Sequence, residues 1–103
     1  MSLQNFKSYQ LALQLCREVR LVRVRERGLS DQLLRASSSV ALNLAEGWGR
    51  MTLKDRRHFF QMAFGSIREC QAISEILALE KKLPILDQVA AATYCLINRT
   101  TGR

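Results

Sequence analysis

Gln32, Arg35, Ser39, Asn43 and Glu46 are directional hydrogen-bonding residues that recur at intervals of three, four, four and three. At ~100° per residue they fall within one sector of a helix. The same spacing predicts that this stripe lies opposite an apolar face of Leu33, Val40 and Leu44. A merely solvated face carries Lys and Glu more often, so this set suits a helix–helix or subunit contact in which polar groups pair. A second chemistry comes from arginine. Arg17, Arg20, Arg23, Arg25 and Arg27 crowd one stretch, and Arg50, Lys54, Arg56 and Arg57 another. A guanidinium presents a planar fork of donors that matches phosphate oxygens. Both clusters are therefore candidate nucleic-acid contacts, salt-sensitive and largely blind to base sequence. Cations at a helix C-terminus also offset its macrodipole, but five arginines exceed what that needs.

Catalytic chemistry has little to work with. His58 is the sole histidine and follows Arg56 and Arg57, so no Ser–His–acid set assembles. Gly47-Trp48-Gly49 lacks the lysine of a phosphate-binding loop. Glu46 and Glu69 are a conceivable carboxylate pair for a nuclease. Carboxylates paired with arginine or with a helix N-terminus explain them without a metal. Cys16, Cys70 and Cys95 are widely separated and form no CxxC, and one histidine is too few for a zinc cluster. Each cysteine sits among apolar residues, which predicts buried thiols in a reducing compartment. The expectation is a protein that is not an enzyme and carries no metal or cofactor.

The chain has 103 residues, which fits a single domain over 1–103 with one core. With 48% hydrophobic and 24% charged residues it reads as globular rather than disordered. The net charge is +7, and arginine far outnumbers the lysines Lys7, Lys54, Lys81 and Lys82. Such a balance points to an anionic partner, most simply nucleic acid. No apolar run reaches the length of a membrane span, and the opening MSLQNFKSYQ has no apolar signal core. A cytoplasmic protein without membrane contact is expected.

Four helices must position these residues. The first is predicted from Gln4 to Arg25, on the spacing of Phe6, Tyr9, Leu13 and Cys16, with Gly28 as a stop. Arg20, Arg23 and Arg27 would then share one face. Ser30 is the expected N-cap of the second helix, with Asp31 in its first turn, and Gly47 and Gly49 around Trp48 end it. Thr52 caps the third, with Asp55 three residues on. Phe59, Met62, Ala63, Ile67, Cys70, Ile73 and Leu77 form its inward stripe, with Phe60 at the margin. Phe64 and Leu79 lie on the far side and suggest a subunit interface. No breaker precedes Pro84, so this helix is expected to reach Leu83, and Gly65 inside it suits a close helix approach. Pro84 opens the fourth helix, whose apolar face is Ile85, Leu86, Val89, Ala90, Thr93, Leu96 and Ile97. Short connections favour an all-α, antiparallel up-down four-helix bundle. That topology places the two basic clusters at opposite ends of a subunit, so only a neighbouring subunit could join them.

The run Gln32-Leu33-Leu34-Arg35-Ala36-Ser37-Ser38-Ser39-Val40-Ala41-Leu42-Asn43-Leu44-Ala45-Glu46-Gly47 closely resembles the signature QLRRASxSIxxNIAEG. That signature belongs to four-helix bundle proteins encoded within intervening sequences of 23S ribosomal RNA genes. Phe59-Phe60-Gln61-Met62-Ala63-Phe64-Gly65-Ser66-Ile67-Arg68-Glu69 resembles the family's FLxxAxGSxxE segment, which singles out Gly65, Ser66 and Glu69. The two motifs and the segment between them cover Gln32 to Glu69. Valine and leucine stand at Val40 and Leu44 where the signature has isoleucine, and Leu34 replaces its second arginine. The family's aromatic-proline element between helices 1 and 2 is replaced by Val24-Arg25-Glu26-Arg27-Gly28. The resemblance implies a bundle that assembles as a ring-like homopentamer. Related accessory proteins of diversity-generating retroelements bind nucleic acid and a reverse transcriptase through a basic surface. The implied partners are nucleic acid, with RNA favoured over DNA, and further copies of the chain. The alternative is an adaptor on a reverse transcriptase or a ribosome-associated protein.

Overall fold

The computed structural model describes residues 6–101. They form α1 (Lys7–Leu21), α2 (Arg27–Trp48), α3 (Leu53–Ile76) and α4 (Ile85–Arg99), with no strand among the described residues. The predicted start of the first helix at Gln4 lies outside them. Each of α1 and α3 packs on both α2 and α4, the cyclic order of an up-down bundle. Contacts fix the directions. Phe6 before α1 stacks on Trp48 at the end of α2, ring centroids 4.3 Å apart. Further along α1 and earlier in α2, the Cys16 thiol donates to the Ser37 carbonyl at 3.2 Å. Lys54 and Thr100 line one cleft between α3 and α4, and Ser74 and Leu86 another. The helices therefore run antiparallel, in a rod of 45 × 22 × 20 Å.

The core is layered along the rod by Leu15, Leu33, Val40, Leu44, Ile67, Cys70, Ile85 and Val89, all essentially inaccessible to water. Each fully buried aliphatic side chain of this size contributes ~1.5–3 kcal/mol. Burial raises the pKa of the Cys70 thiol to about 12, with Glu69 and Cys16 adding smaller electrostatic contributions. The cysteines do not share one environment as expected: Cys70 is buried, Cys16 half-buried and Cys95 exposed. Cys95 lies on the outer side of α4, where Val89 and Thr93 supply the buried contacts.

The first helix stops at Leu21, four residues before the predicted end. Over 21–25 the chain is extended at Val22 and burial alternates, with Val22 and Val24 turned toward the core and Leu21, Arg23 and Arg25 exposed. Two β-branched residues at a period of two favour this extended path over another helical turn. The second helix begins at Arg27, not after Ser30, and its N-cap Glu26 makes no side-chain cap bond. Gly28 is exposed in the first turn, where it costs little, and the earlier start lets Leu29 pack on the core.

The stripe of α3 is Phe60, Ala63, Ile67, Cys70, Ile73 and Ser74. Phe60, placed at the margin by spacing, is buried, whereas Phe59 is half-buried and Met62 exposed. Gly47 is the reason. It lies inside α2, buried, and a Cβ there would sit 2.7 Å from Cε1 of Phe60. The missing side chain admits the ring, so Gly47 supports a close approach rather than ending the helix. Gly65 was the expected site of such an approach, but it is exposed and a Cβ would meet nothing within 4 Å.

The third helix ends at Ile76 instead of Leu83. Ala78 turns to φ 56°, the Ala78 N–H donates to the Glu75 carbonyl at 3.2 Å, and the Leu79 N–H donates to the Ser74 carbonyl at 2.8 Å. This is a Schellman closure with alanine where glycine is usual. In a continuous helix Leu79 would point away from Cys70, about 180° around the axis. The reversal instead buries it, and core burial outweighs the cost of a left-handed alanine. Leu79 is thus a core residue, not part of an outer face. Phe64, its supposed partner there, is half-buried against Tyr94 of α4, centroids 6.1 Å apart.

Ala78→Gly should remove the left-handed penalty and stabilise the fold by about 1 kcal/mol, read as a higher melting temperature. The two helical glycines should respond in opposite directions. Gly47→Ala should cost ~1–3 kcal/mol by overpacking against the immobile Phe60 ring, while Gly65→Ala should gain up to ~1 kcal/mol. Urea unfolding of the three variants measures these shifts.

Candidate nucleic-acid interface

The α2–α3 turn is built by the basic residues themselves. The Thr52 hydroxyl accepts the Asp55 N–H at 3.1 Å and starts α3. The Arg50 guanidinium pairs with Glu46 at 2.8 Å and lies over the Phe59 ring at 4.6 Å. Arg56 Nε donates to the Arg50 carbonyl at 2.8 Å, and the Arg56 guanidinium sits 5.9 Å from the Trp48 ring centre. Arg50 and Arg56 thus tie the turn to both helices. Lys54 and Arg57 stand on the exposed side of the same segment. They line a cleft of about 460 Å³ with His58, Gln61, Thr100 and Thr101. Exposed Lys7 and Arg99 lie at the same end of the bundle, as the first residue of α1 and the last of α4. The Thr100 hydroxyl donates to the Leu96 carbonyl at 2.6 Å, which leaves two cations, an imidazole, an amide and the Thr101 hydroxyl around one cleft as donors suited to phosphate oxygens.

The other basic cluster occupies the opposite end. The 22 residues of α2 separate the two clusters by about 33 Å at ~1.5 Å per residue. Arg17 and Arg20 are on α1, Arg23 and Arg25 on the extended connector, and Arg27 opens α2. Arg20, Arg23 and Arg27 therefore do not share a helix face, because the helix ends before Arg23. Arg20 Nη1 donates to the Cys16 carbonyl at 2.7 Å, which satisfies the end of α1. Arg23 lines a cleft with Glu18, Leu21, Val22 and Lys82.

Sequence reasoning omitted Lys82 from the first cluster and His58, Thr100 and Thr101 from the second. The signal was available: antiparallel packing brings the α3–α4 connection beside the end of α1, and the end of α4 beside the start of α3.

The polar stripe of α2 divides. Asn43 lies only about 60° around the helix from Val40 at ~100° per residue, so the stripe borders the core face instead of opposing it. Its middle faces α3. The hydroxyls of Ser39 and Ser66 are 2.9 Å apart, and Asn43 Nδ2 donates at 3.0 Å to both the carbonyl and the hydroxyl of Ser39. Gln32, Arg35 and Glu46 are exposed. Glu69 is also exposed, on α3 next to buried Cys70. On the outward face of α2, Leu34, Ser38, Leu42 and Ala45 join Arg35, Ser39, Asn43 and Glu46 of the stripe along two adjoining clefts.

Residues 4–93 match the family described as 23S rRNA-intervening sequence protein. The chain belongs to this family. No curated protein matches its sequence. The family motifs acquire a structural meaning here. The first lies on α2 and the second on α3, and their members meet at Ser39–Ser66 and Gly47–Phe60. They encode the α2–α3 seam. No helix among the described residues is long and apolar enough to cross a membrane.

Asn43→Ala should leave Ser39 without its amide donor and lower stability by about 1 kcal/mol. Chemical denaturation measures this, and an unchanged midpoint would mean that the Asn43–Ser39 bonds contribute nothing beyond their bonds to water.

Proposed function

We propose that this family member is a non-catalytic, oligomeric protein of the cytoplasm that binds nucleic acid, RNA in preference to DNA. The Lys54–Arg57 cleft carries the reading. Arg50 and Arg56 each engage a partner within the turn, and the turn presents Lys54, Arg57 and His58 to solvent beside two threonines. Such an end concentrates positive potential where a phosphate backbone can track across it. The family description, with its ribosomal RNA context, supports RNA as the polymer. Arg17, Arg20, Arg23, Arg25 and Arg27 supply a second contact region, made continuous with the first when copies adjoin. Three free thiols suit a reducing compartment. Glu46 is engaged by Arg50, which weakens a nuclease reading.

Assembly, as a homopentamer, is assigned to the outward face of α2. Leu42 is 69% exposed and Met51 95% exposed, and Leu42 is shared by the two clefts that run along this face. An apolar side chain held in the open on a rigid helix, with a second in the turn beyond its end, favours a protein contact. The same face supports a second reading, an adaptor that docks on a reverse transcriptase or ribosome-associated protein.

Binding of structured RNA and of duplex DNA across a salt series tests the first reading. Affinity should fall log-linearly with salt, and Lys54→Ala with Arg57→Ala should reduce the slope by roughly one per cation removed. Salt-indifferent binding, or none at low salt, would overturn it. A protein partner retained by that double variant after RNA binding is lost would favour the adaptor. Light scattering should give a mass of about five subunits, reduced by Leu42→Glu. A monomer at micromolar concentration would rule out the assembly.

A further inference from the structure

We propose that the cavity between the C-terminal end of α3 and the N-terminal end of α4 binds an aliphatic cation, a methylene chain ending in ammonium or guanidinium. The cavity measures about 350 Å³ and is lined by Arg68, Gln71, Ser74, Glu75, Glu80, Leu83, Leu86 and Asp87. It lies at the end of the bundle opposite the Lys54–Arg57 cleft.

Three carboxylates and one guanidinium leave this lining with a net negative charge in a chain whose net charge is +7. The guanidinium is already occupied. Arg68 Nη1 donates to Gln71 Oε1 at 2.8 Å, and its plane lies over the Phe64 ring at 4.8 Å. The nearby Lys82 lines the cleft on the α1 side instead. The last turn of α3 contains no basic residue, so the negative end of its macrodipole adds to Glu75 and Glu80 instead of being offset.

A second observation is independent of charge. Ser74 is 2% exposed and belongs to the cavity wall, and its hydroxyl has no hydrogen-bond partner. A serine in a helix can bond back to the preceding turn; this one does not, and its hydroxyl is left as an unpaired polar group in the cavity wall. The shape of the donor set selects the ligand. Among the described residues no three His, Cys, Asp or Glu side chains are placed to hold one metal ion. The carboxylates come from the end of α3, the α3–α4 connection and the start of α4, separate segments as an extended multi-donor cation requires. Leu83 and Leu86 offer apolar wall for its methylenes.

Two sources share this chemistry: a free polyamine-type amine, or a lysine or arginine side chain of another copy. Agmatine, with an ammonium and a guanidinium joined by a short methylene chain, serves as the probe. Calorimetric titration of the full chain should show saturable binding. Glu80→Gln with Asp87→Asn should weaken it by on the order of tenfold, and Ser74→Ala should weaken it less, with circular dichroism unchanged. Unsaturable heats, or equal affinity in the carboxamide variant, would overturn the proposal. Sedimentation separates the sources. If the carboxamide variant loses self-association and agmatine dissociates the wild-type assembly, a neighbouring copy fills the cavity. If mass is unaffected while agmatine binds, the ligand is a free amine. No nucleic acid enters these measurements, so their failure and that of the RNA-binding reading are distinguishable.

Discussion

Where α2 and α3 cross nearest their shared turn, the Phe60 ring occupies the space that a side chain at Gly47 would fill. The ring also touches Phe6, whose own ring stacks on Trp48. One missing methyl group therefore lets three helical segments meet in a single aromatic cluster. Toward the middle of the bundle the same seam becomes polar, through Ser39, Asn43 and Ser66. Apolar packing at one point and hydrogen bonds at another constrain both the separation and the register of the two long helices. α1 and α4 then complete the core against them.

That constraint also governs the charged surface. Because α2 and α3 approach closely, the turn between them is tight, and its arginines fall within reach of rings and carbonyls. Arg50 and Arg56 each commit one guanidinium nitrogen inside the turn, to Glu46 and to the Arg50 carbonyl, whereas Lys54 and Arg57 face solvent. Residues adjacent in sequence thus divide into structural and recognition roles according to which side of a helix start they occupy. A count of arginines cannot make this distinction, since the same guanidinium fork serves a backbone carbonyl or a phosphate.

The two ends of the rod differ in character. At the α2–α3 turn end the exposed cations Lys7, Lys54, Arg57 and Arg99 outnumber the exposed acids Glu46 and Asp55. At the other end, Arg23 shares a cleft with Glu18 and Lys82, and Glu75, Glu80 and Asp87 line a polar cavity between α3 and α4. The difference follows from helix direction. Antiparallel packing gathers the last turn of α3, which has no basic residue to offset its dipole, beside the first turn of α4 with its Asp87.

The sequence by itself determined the number and order of helices, the Thr52 cap, and the helical placement of the family motifs, because period, capping and short connections are local properties. It also located both basic clusters and their opposite ends, since these follow from antiparallel order alone. Tertiary structure decided what local rules could not weigh. The end of α3 is set by the burial of Leu79, which only a left-handed Ala78 permits. The extended run at Val22 and Val24 is set by two side chains reaching the core. Phe60 rather than Phe59 faces inward because Gly47, thirteen residues earlier, leaves room for it. The polar stripe is a helical spacing visible in the sequence, but whether its members pair within the chain or face water depended on the position of α3. In each case the deciding partner lies on another segment, and its effect is a distance between surfaces that no single-helix pattern contains.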